Sequence, residues 1–309
     1  MLSVLTIVRN REAHLAQLVE GLRRSVRQPD ELVVVDMSDT PVDRPTAAFP
    51  IRVERFETIG LPLAAARNRA GAVARGDQLL FLDVDCIAMR DCPGRLSTTL
   101  DAHDALLCAD VRYLGPGDAR TGWEEKELLA TGAPHPVRDF PVDGLREEPD
   151  AGLFWSLAFA IRRARFEALG GFDEAFTGYG AEDTDFGYRA RAMGLPLLFV
   201  GGAIACHQYH DSHDPPIQHL EDIVANAQRF EARWREWPMR GWLDRFEAMG
   251  LIDWQDGAPV VLRQPTADER AATLSTWPKT SPPMLASERR AVTQGTNRSG
   301  HCRSRAKQR

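Results

Sequence analysis

No run of apolar residues in this 309-residue chain approaches the roughly 20 needed to span a bilayer, so membrane contact would have to be peripheral. The five cysteines (Cys86, Cys92, Cys108, Cys206 and Cys302) show no C-x-x-C spacing and are odd in number. They read as reduced, mostly buried thiols of a cytoplasmic protein, not as a disulfide framework. There is no internal repeat. The sequence enters a strand-like segment at once and then a charged one, so no signal peptide is expected. The turn after that segment, Arg9-Asn10-Arg11, holds no glycine. A nucleotidyltransferase would want a glycine-rich phosphate loop there.

Acid exceeds base overall, with a net charge of −6, but unevenly. From Glu288 to Arg309 there are seven basic residues against one acid, which leaves the remainder twice as acidic as the total. That balance disfavours nucleic acid as a partner of the folded part. The basic tail reads as solvated and disordered, with peripheral attraction to anionic lipid at the inner membrane face as its alternative role.

What is present is an ordinary globular composition, 43% hydrophobic and 27% charged. Leu2–Val8 predicts a buried strand, Leu15, Leu18, Val19, Leu22 and Val26 a helix ended by Pro29, and Leu32–Asp36 a second buried strand. This β-α-β unit predicts a parallel sheet. A strand over 51–56 and an alanine-rich helix over 63–74 follow. The next apolar run, Leu79 to Leu82, ends in Asp83-Val84-Asp85, which projects two carboxylates from the carboxyl end of a strand, where α/β sheets bind ligands. Hard cations that carry nucleotide phosphates prefer such oxygens.

Beyond it, a helix over 93–100 and strands over 105–109, 156–161 and 197–200 are expected. Residues 132–150, rich in proline, glycine and charge, read as a mobile and functional loop. Glu182-Asp183-Thr184-Asp185 opens a helix with Phe186, Ala190 and Met193 on one face, and His207 and His210 follow the last strand. His213 and His219 read as solvated. Two helices over 216–250, packed by Trp234, Trp237 and Trp242, complete the ordered part.

Three segments resemble the inverting GT-A glycosyltransferases of family 2, with a second half similar to the galactosyltransferase family. Thr6–Leu15 resembles a nucleotide-binding start, Phe81–Met89 a metal strand, and Gly170-Gly-Phe-Asp173 with Gly178–Asp185 an acceptor and base segment. His207-Gln208 resembles the metal-ligand histidine of bacterial chondroitin-type polymerases. The resemblance implies an α/β GT-A (Rossmann-like) fold, a mostly parallel sheet flanked by helices, with C-terminal helices and a disordered tail. It divides the chain into a glycosyltransferase domain over 1–215 (nucleotide-sugar half 1–110, acceptor half 111–215), a helical extension over 216–256 and an irregular tail over 257–309.

It further implies a nucleotide-sugar donor, a UDP-sugar, and a glycan or other hydroxyl acceptor. Asp85 with His207, or His210 as second choice, would hold Mn²⁺ or Mg²⁺. Arg9, Arg11, Asp36, Arg67, Asn68 and Asp83 would contact the donor. Asp183 would be the base, and Glu182, Tyr179 and Trp155 would meet the acceptor. Tyr179 stands where galactosyltransferases carry a sugar-stacking tryptophan. Crowding among Glu182, Asp183 and Asp185 is expected to raise at least one pKa.

Each piece also has an ordinary explanation. Acids in a helix's first turn are common capping chemistry, loop histidines are often solvated, and Trp155 could be core. Two other functions compete. A phosphatase using an Asp-x-Asp nucleophile usually places the pair on the first strand of its domain, whereas here two strand-helix units precede it. A non-catalytic binder of nucleotide sugar would have no need of Asp183.

Overall fold

Strand β1, Leu2–Val8, is apolar without alternation, and every residue of it is buried. That pattern belongs to a strand covered on both faces. Leu2, Val4 and Val8 join one core with Leu15, Leu18 and Leu22 of helix α1 (Glu12–Arg24), while Leu5 and Ile7 join a second core on the opposite face. The computed structural model describes residues 1–275.

Strand β2 (Glu31–Asp36) pairs parallel with β1, and β3 (Ile51–Arg55) parallel with β2. Helix α2 (Leu63–Val73) then packs its alanines into the second core and returns the chain to β4 (Gln78–Leu82), parallel to β1 on the other side. Short strand β5 (Cys86–Ala88) follows directly, then helix α3 (Cys92–Ala102) and strand β6 (Leu106–Tyr113). Helix α4 (Glu125–Thr131) and strands β7 (Ala133–Pro134) and β8 (Leu145–Glu147) lead to β9 (Ala158–Arg162). Helices α5 (Arg163–Ala168) and α6 (Glu182–Ala192) precede the long strand β10 (Leu197–His207).

The sheet runs in the order β3-β2-β1-β4-β9-β6-β10-β5, with β7 on β6 and β8 on β10. Strands β1 to β4, β6 and β10 share one direction, and β9 threads between β4 and β6 the opposite way. The carboxyl ends of β1, β2, β4, β6 and β10 therefore meet at one edge, and the start of β9 joins them because Leu82 pairs with Ala158.

Helices α7 (Leu220–Trp234) and α8 (Arg240–Ala248) build a separate small core with hairpin β11 (Ile252–Gln255) and β12 (Ala258–Val261). Helix α9 (Ala267–Thr273) closes the described chain with a Thr266–Glu269 capping box.

Several expectations need correction. The first helix ends at Arg24, where Ser25 caps it, five residues before Pro29, and Val26 is 67% exposed instead of facing the core. Met193 lies beyond the end of α6 and is half exposed. Residues 132–150 are not a loose loop: two short strands pair with β6 and β10, and Arg138 is buried over the rings of Phe140, Trp155 and Phe199. A boundary at 257 cuts the β11–β12 hairpin, and residues up to 275 are ordered in elements. His213 accepts or donates to Thr273, and His219 stacks on Tyr179, so neither is merely solvated. The strongly basic part of the tail and Cys302 lie outside the described residues. The other four cysteines are buried and free, and among the described residues no helix is long and apolar enough to cross a membrane.

Candidate active site

Strand register brings Asp85 to the histidines. Beyond the end of β4, Asp83 donates its N–H to Leu157 and accepts from Cys86, so the chain turns sharply into β5. There Cys86 stands opposite His207 in an antiparallel pair, and Gln208 N–H reaches the Asp85 carbonyl at 2.7 Å. Two positions far apart in sequence become neighbours through backbone pairing.

Asp85 is buried, its side chain 11% exposed. His207 Nε2 lies 3.3 Å from Oδ1, and His210 Nε2 lies 3.3 Å from Oδ2. Arg11, at the start of α1, places Nη1 3.3 Å from Oδ2. Burial alone would raise the Asp85 pKa, but His207, His210 and Arg11 outweigh it and hold the group well below the usual carboxylate range. Oδ1 is buried and accepts no hydrogen bond among the described residues. An orphaned carboxylate oxygen beside two imidazole nitrogens, with ligand atoms all within 4.8 Å, fits a divalent cation. Both histidines belong to the cluster, so the sequence-level choice between them dissolves.

The acidic helix is built differently. Its N-cap, Ala181, takes a left-handed conformation (φ 67°), reached through the Thr177–Gly180 turn. Gly178 has φ 69°, a left-handed conformation that favours glycine, and a side chain there would also displace the Asp222 carboxylate of α7. Asn226 of α7, buried, holds the turn by donating to the carbonyls of Thr177 (2.8 Å) and Gly180 (2.9 Å). Asp185 accepts from Arg189, Arg233 and Trp234 at 2.7 to 2.9 Å and is wholly buried. It anchors α6 to α7.

Asp183 is the residue of the cluster with its pKa displaced upward, to about 7, by burial first and then by Glu182. Arg67 and the N–H groups of Thr184 and Ser156 oppose that rise. Crowding therefore acts as expected, through Glu182, whereas Asp185 is neutralised by its arginines. Asp83 is likewise raised, to about 6, by burial against the pull of Arg67. Arg67 donates to Asp83 Oδ1 at 3.1 Å and to Glu182 Oε1 at 3.0 Å.

Among the expected donor contacts, Arg9 and Arg11 line the edge, Arg9 reaching the Gly60 carbonyl and lying 3.6 Å from Asp39. Two others already have partners. Asp36 accepts from Ser38 N–H at 2.8 Å and Val42 N–H at 3.0 Å of its own loop and from Arg55 of β3 at 3.1 Å. Asn68 spends its amide on the Gly171–Phe172 turn, accepting from Phe172 N–H at 2.7 Å and donating to its carbonyl at 2.9 Å. Arg67 is buried and engaged with two carboxylates.

On the acceptor side, Trp155 is half-buried, edge-on to His135 at 4.6 Å, with Arg138 above it at 5.0 Å. One face of the Tyr179 ring is taken by His219, stacked at 4.6 Å. Sequence reasoning missed Asn226, His14 and Tyr113. His14 meets the Tyr209 carbonyl at 3.3 Å and faces the His210 ring, and Tyr113 lies 5.1 Å from the His207 ring. His14 stood in the quoted Arg9–His14 segment, at helical spacing beyond Arg11. Asn226 carried no local signal.

Residues 3–170 match glycosyl transferase family 2, and residues 150–211 match the N-terminal domain of galactosyltransferase. The validoxylamine A glucosyltransferase of Streptomyces hygroscopicus subsp. limoneus is 27% identical over 74% of this chain and 56% of its own length. The chondroitin synthase of Pasteurella multocida is 24% identical over 60% of this chain and 22% of its own. The chain thus spans about half the length, or less, of these curated relatives. Among solved structures, S. aureus TarS superposes with a TM-score of 0.52 at 17% identity, over 74% of this chain and 39% of TarS. GalNAc-T7, crystallised with UDP, GalNAc and Mn²⁺, superposes at 0.51 and 18% identity, over 68% of this chain and 43% of its own. At such identities the likeness is one of fold. The family match covers more than half of the sequence, and the chain belongs to glycosyl transferase family 2, folded as a GT-A domain.

Proposed function

We propose that the protein is a metal-dependent inverting glycosyltransferase that moves a sugar from a nucleotide sugar, a UDP-sugar, to a hydroxyl acceptor. The observation that carries this reading is the pairing of an Asp85–His207–His210 cluster with a separately held, proton-binding Asp183. The relatives' names, a glucosyltransferase and a chondroitin synthase, and the UDP and Mn²⁺ of GalNAc-T7 support it.

Asp85, His207 and His210 would hold the cation, and a set of two nitrogens and one carboxylate suits Mn²⁺ better than Mg²⁺. When bound, such an ion supplies Lewis-acid neutralisation of the diphosphate charge. Arg11 stands beside the same carboxylate and is positioned to meet phosphate oxygens from the protein side. Asp183 has the opposite task. With a pKa near neutrality it is substantially ionised at pH 7 yet basic enough to take the acceptor's proton, the balance general-base catalysis favours. A single base acting on the acceptor, with the leaving group bound elsewhere, corresponds to one in-line displacement and inversion. Trp155 and Tyr179 would supply aromatic surface to the acceptor. A mere binder of nucleotide sugars would not require a carboxyl group in this environment.

Two substitutions test the reading separately. Asp85→Ala is expected to abolish Mn²⁺-dependent UDP binding in calorimetry, and unchanged affinity would remove the metal role. Asp183→Asn is expected to keep that binding while lowering transfer about a hundredfold or more. Near-normal turnover of a nucleotide-sugar panel by Asp183→Asn would remove the base.

A further inference from the structure

Arg67 lies on α2, with a side chain only 5% exposed, and its two terminal nitrogens reach carboxylates from opposite halves of the fold. Asp83, held at 3.1 Å, precedes Asp85 by two residues, and Glu182, held at 3.0 Å, immediately precedes Asp183. Each tethered carboxylate is thus the chain neighbour of a working one. The guanidinium also lies over the Phe172 ring at 5.4 Å, which fixes its plane. A rigid planar fork can hold two carboxylates in set relation, which a point-charge ammonium on a flexible stem does less well.

We propose that Arg67 is a positioning residue that ties the two halves of the cleft together, fixing the helix that carries Asp183 against the strand turn that carries Asp85. The consequence for Asp183 rests on the base reading above and is electrostatic. The groups that face Asp183 are Glu182 on its own helix, Arg67 from α2, Tyr179 from the preceding turn and Cys108 from β6, with the N–H groups of Thr184 and Ser156. Burial keeps the tyrosine and the thiol neutral at working pH. Arg67 is the cation that acts on Asp183, and a second, Arg138, acts on Cys108. Without Arg67, only the N–H groups of Thr184 and Ser156 oppose the repulsion of Glu182, and the base is protonated over more of the neutral range.

The test is a ¹³C NMR titration of aspartate-labelled, metal-free full-length protein, with the Asp183 carboxyl assigned by its loss in Asp183→Asn. Arg67→Met is expected to raise the Asp183 midpoint by about one pH unit or more, and Arg67→Lys, which keeps the charge, by less. Removing a buried cation strands two carboxylates, so a charge-balanced variant is included: Arg67→Met with Glu182→Gln should bring the midpoint back towards the wild-type value. A role limited to packing would leave the midpoint where it is. The inference is overturned by an unchanged midpoint in folded Arg67→Met, or by a double variant that stays with the single one. If Arg67→Met does not fold, the lysine and double variants decide on the same criteria. Normal turnover by Asp183→Asn would sink the base assignment while leaving this tie intact, so the two failures can be told apart.

Discussion

The two sides of the cleft are held by different physics. On the proposed metal side, Asp85 and His207 are juxtaposed by backbone pairing between β5 and β10 before their side chains meet. On the base side, α6 is held by a handful of side chains: Asp185 to Arg189 and Arg233, Glu182 to Arg67, and Asn226 to the preceding turn. Ligands placed by a sheet can be altered with the fold intact. The proposed base, placed by buried ion pairs, cannot be separated so cleanly from stability.

The sharpest way to break this contrast is Asp185→Ala. It leaves Arg189, Arg233 and the Trp234 N–H facing a lost partner, and removing one member of a buried ion network costs about 3–5 kcal/mol. A large drop in melting temperature is expected, while a drop of a degree or less would show that α6 is held by something else. On the proposed metal side, His207→Ala and His210→Ala should lower the melting temperature of the metal-free protein much less, because Arg11 and the remaining histidine still face Asp85. Each should weaken Mn²⁺ binding in the presence of UDP at least about tenfold. Should either lose stability comparable to Asp185→Ala, the contrast collapses.

Asn226→Ala sharpens it further. Loss of its hydrogen bonds to the Thr177 and Gly180 carbonyls should cost about 1–3 kcal/mol and impair turnover, with Mn²⁺–UDP affinity retained in calorimetry.

The smallest effect concerns pH. Asp183 has a folded pKa of about 7, above its ordinary value of 3.8. Between those values the native state holds a proton that the unfolded chain has released, so the contribution of this group to stability falls as pH rises from about 4 to about 7. Asp183→Asn should flatten the decline in melting temperature between pH 5 and 7.5 relative to wild type. An identical slope in both proteins would remove Asp183 as its source.

The same division governs what the sequence made legible. Strands β1, β2 and β4 announce themselves because both faces are buried and their apolar runs are unbroken, and the Asp-x-Asp end of β4 follows from the run itself. The strand expected over 197–200 continues to His207, because Gly201 and Gly202 are a bulge and not a stop. Resemblance names Asp36 and Asn68 but cannot tell what their polar atoms meet, which is the N–H of Ser38 and Val42 for the one and of Phe172 for the other. Asn226 was illegible for the converse reason: its partners are carbonyls nearly fifty positions earlier, and nothing in the residue type foretells them. Long-range polar pairing has no period.

The bulge in β10 has one more implication. Val200 stands opposite Ala109, but the next pair in the ladder is Ile204 with Asp110, so three residues are looped out between them. Because strand side chains alternate between faces, the length of that excursion sets the phase of everything downstream, His207 included. Gly202, at φ 73°, supplies the backbone turn that makes the excursion fit. Changing the length of the excursion by a single residue is expected to reset the face of the sheet on which the His207 imidazole stands relative to Asp85. The short glycine pair thus works as a phase adjuster for a candidate coordination site several residues away.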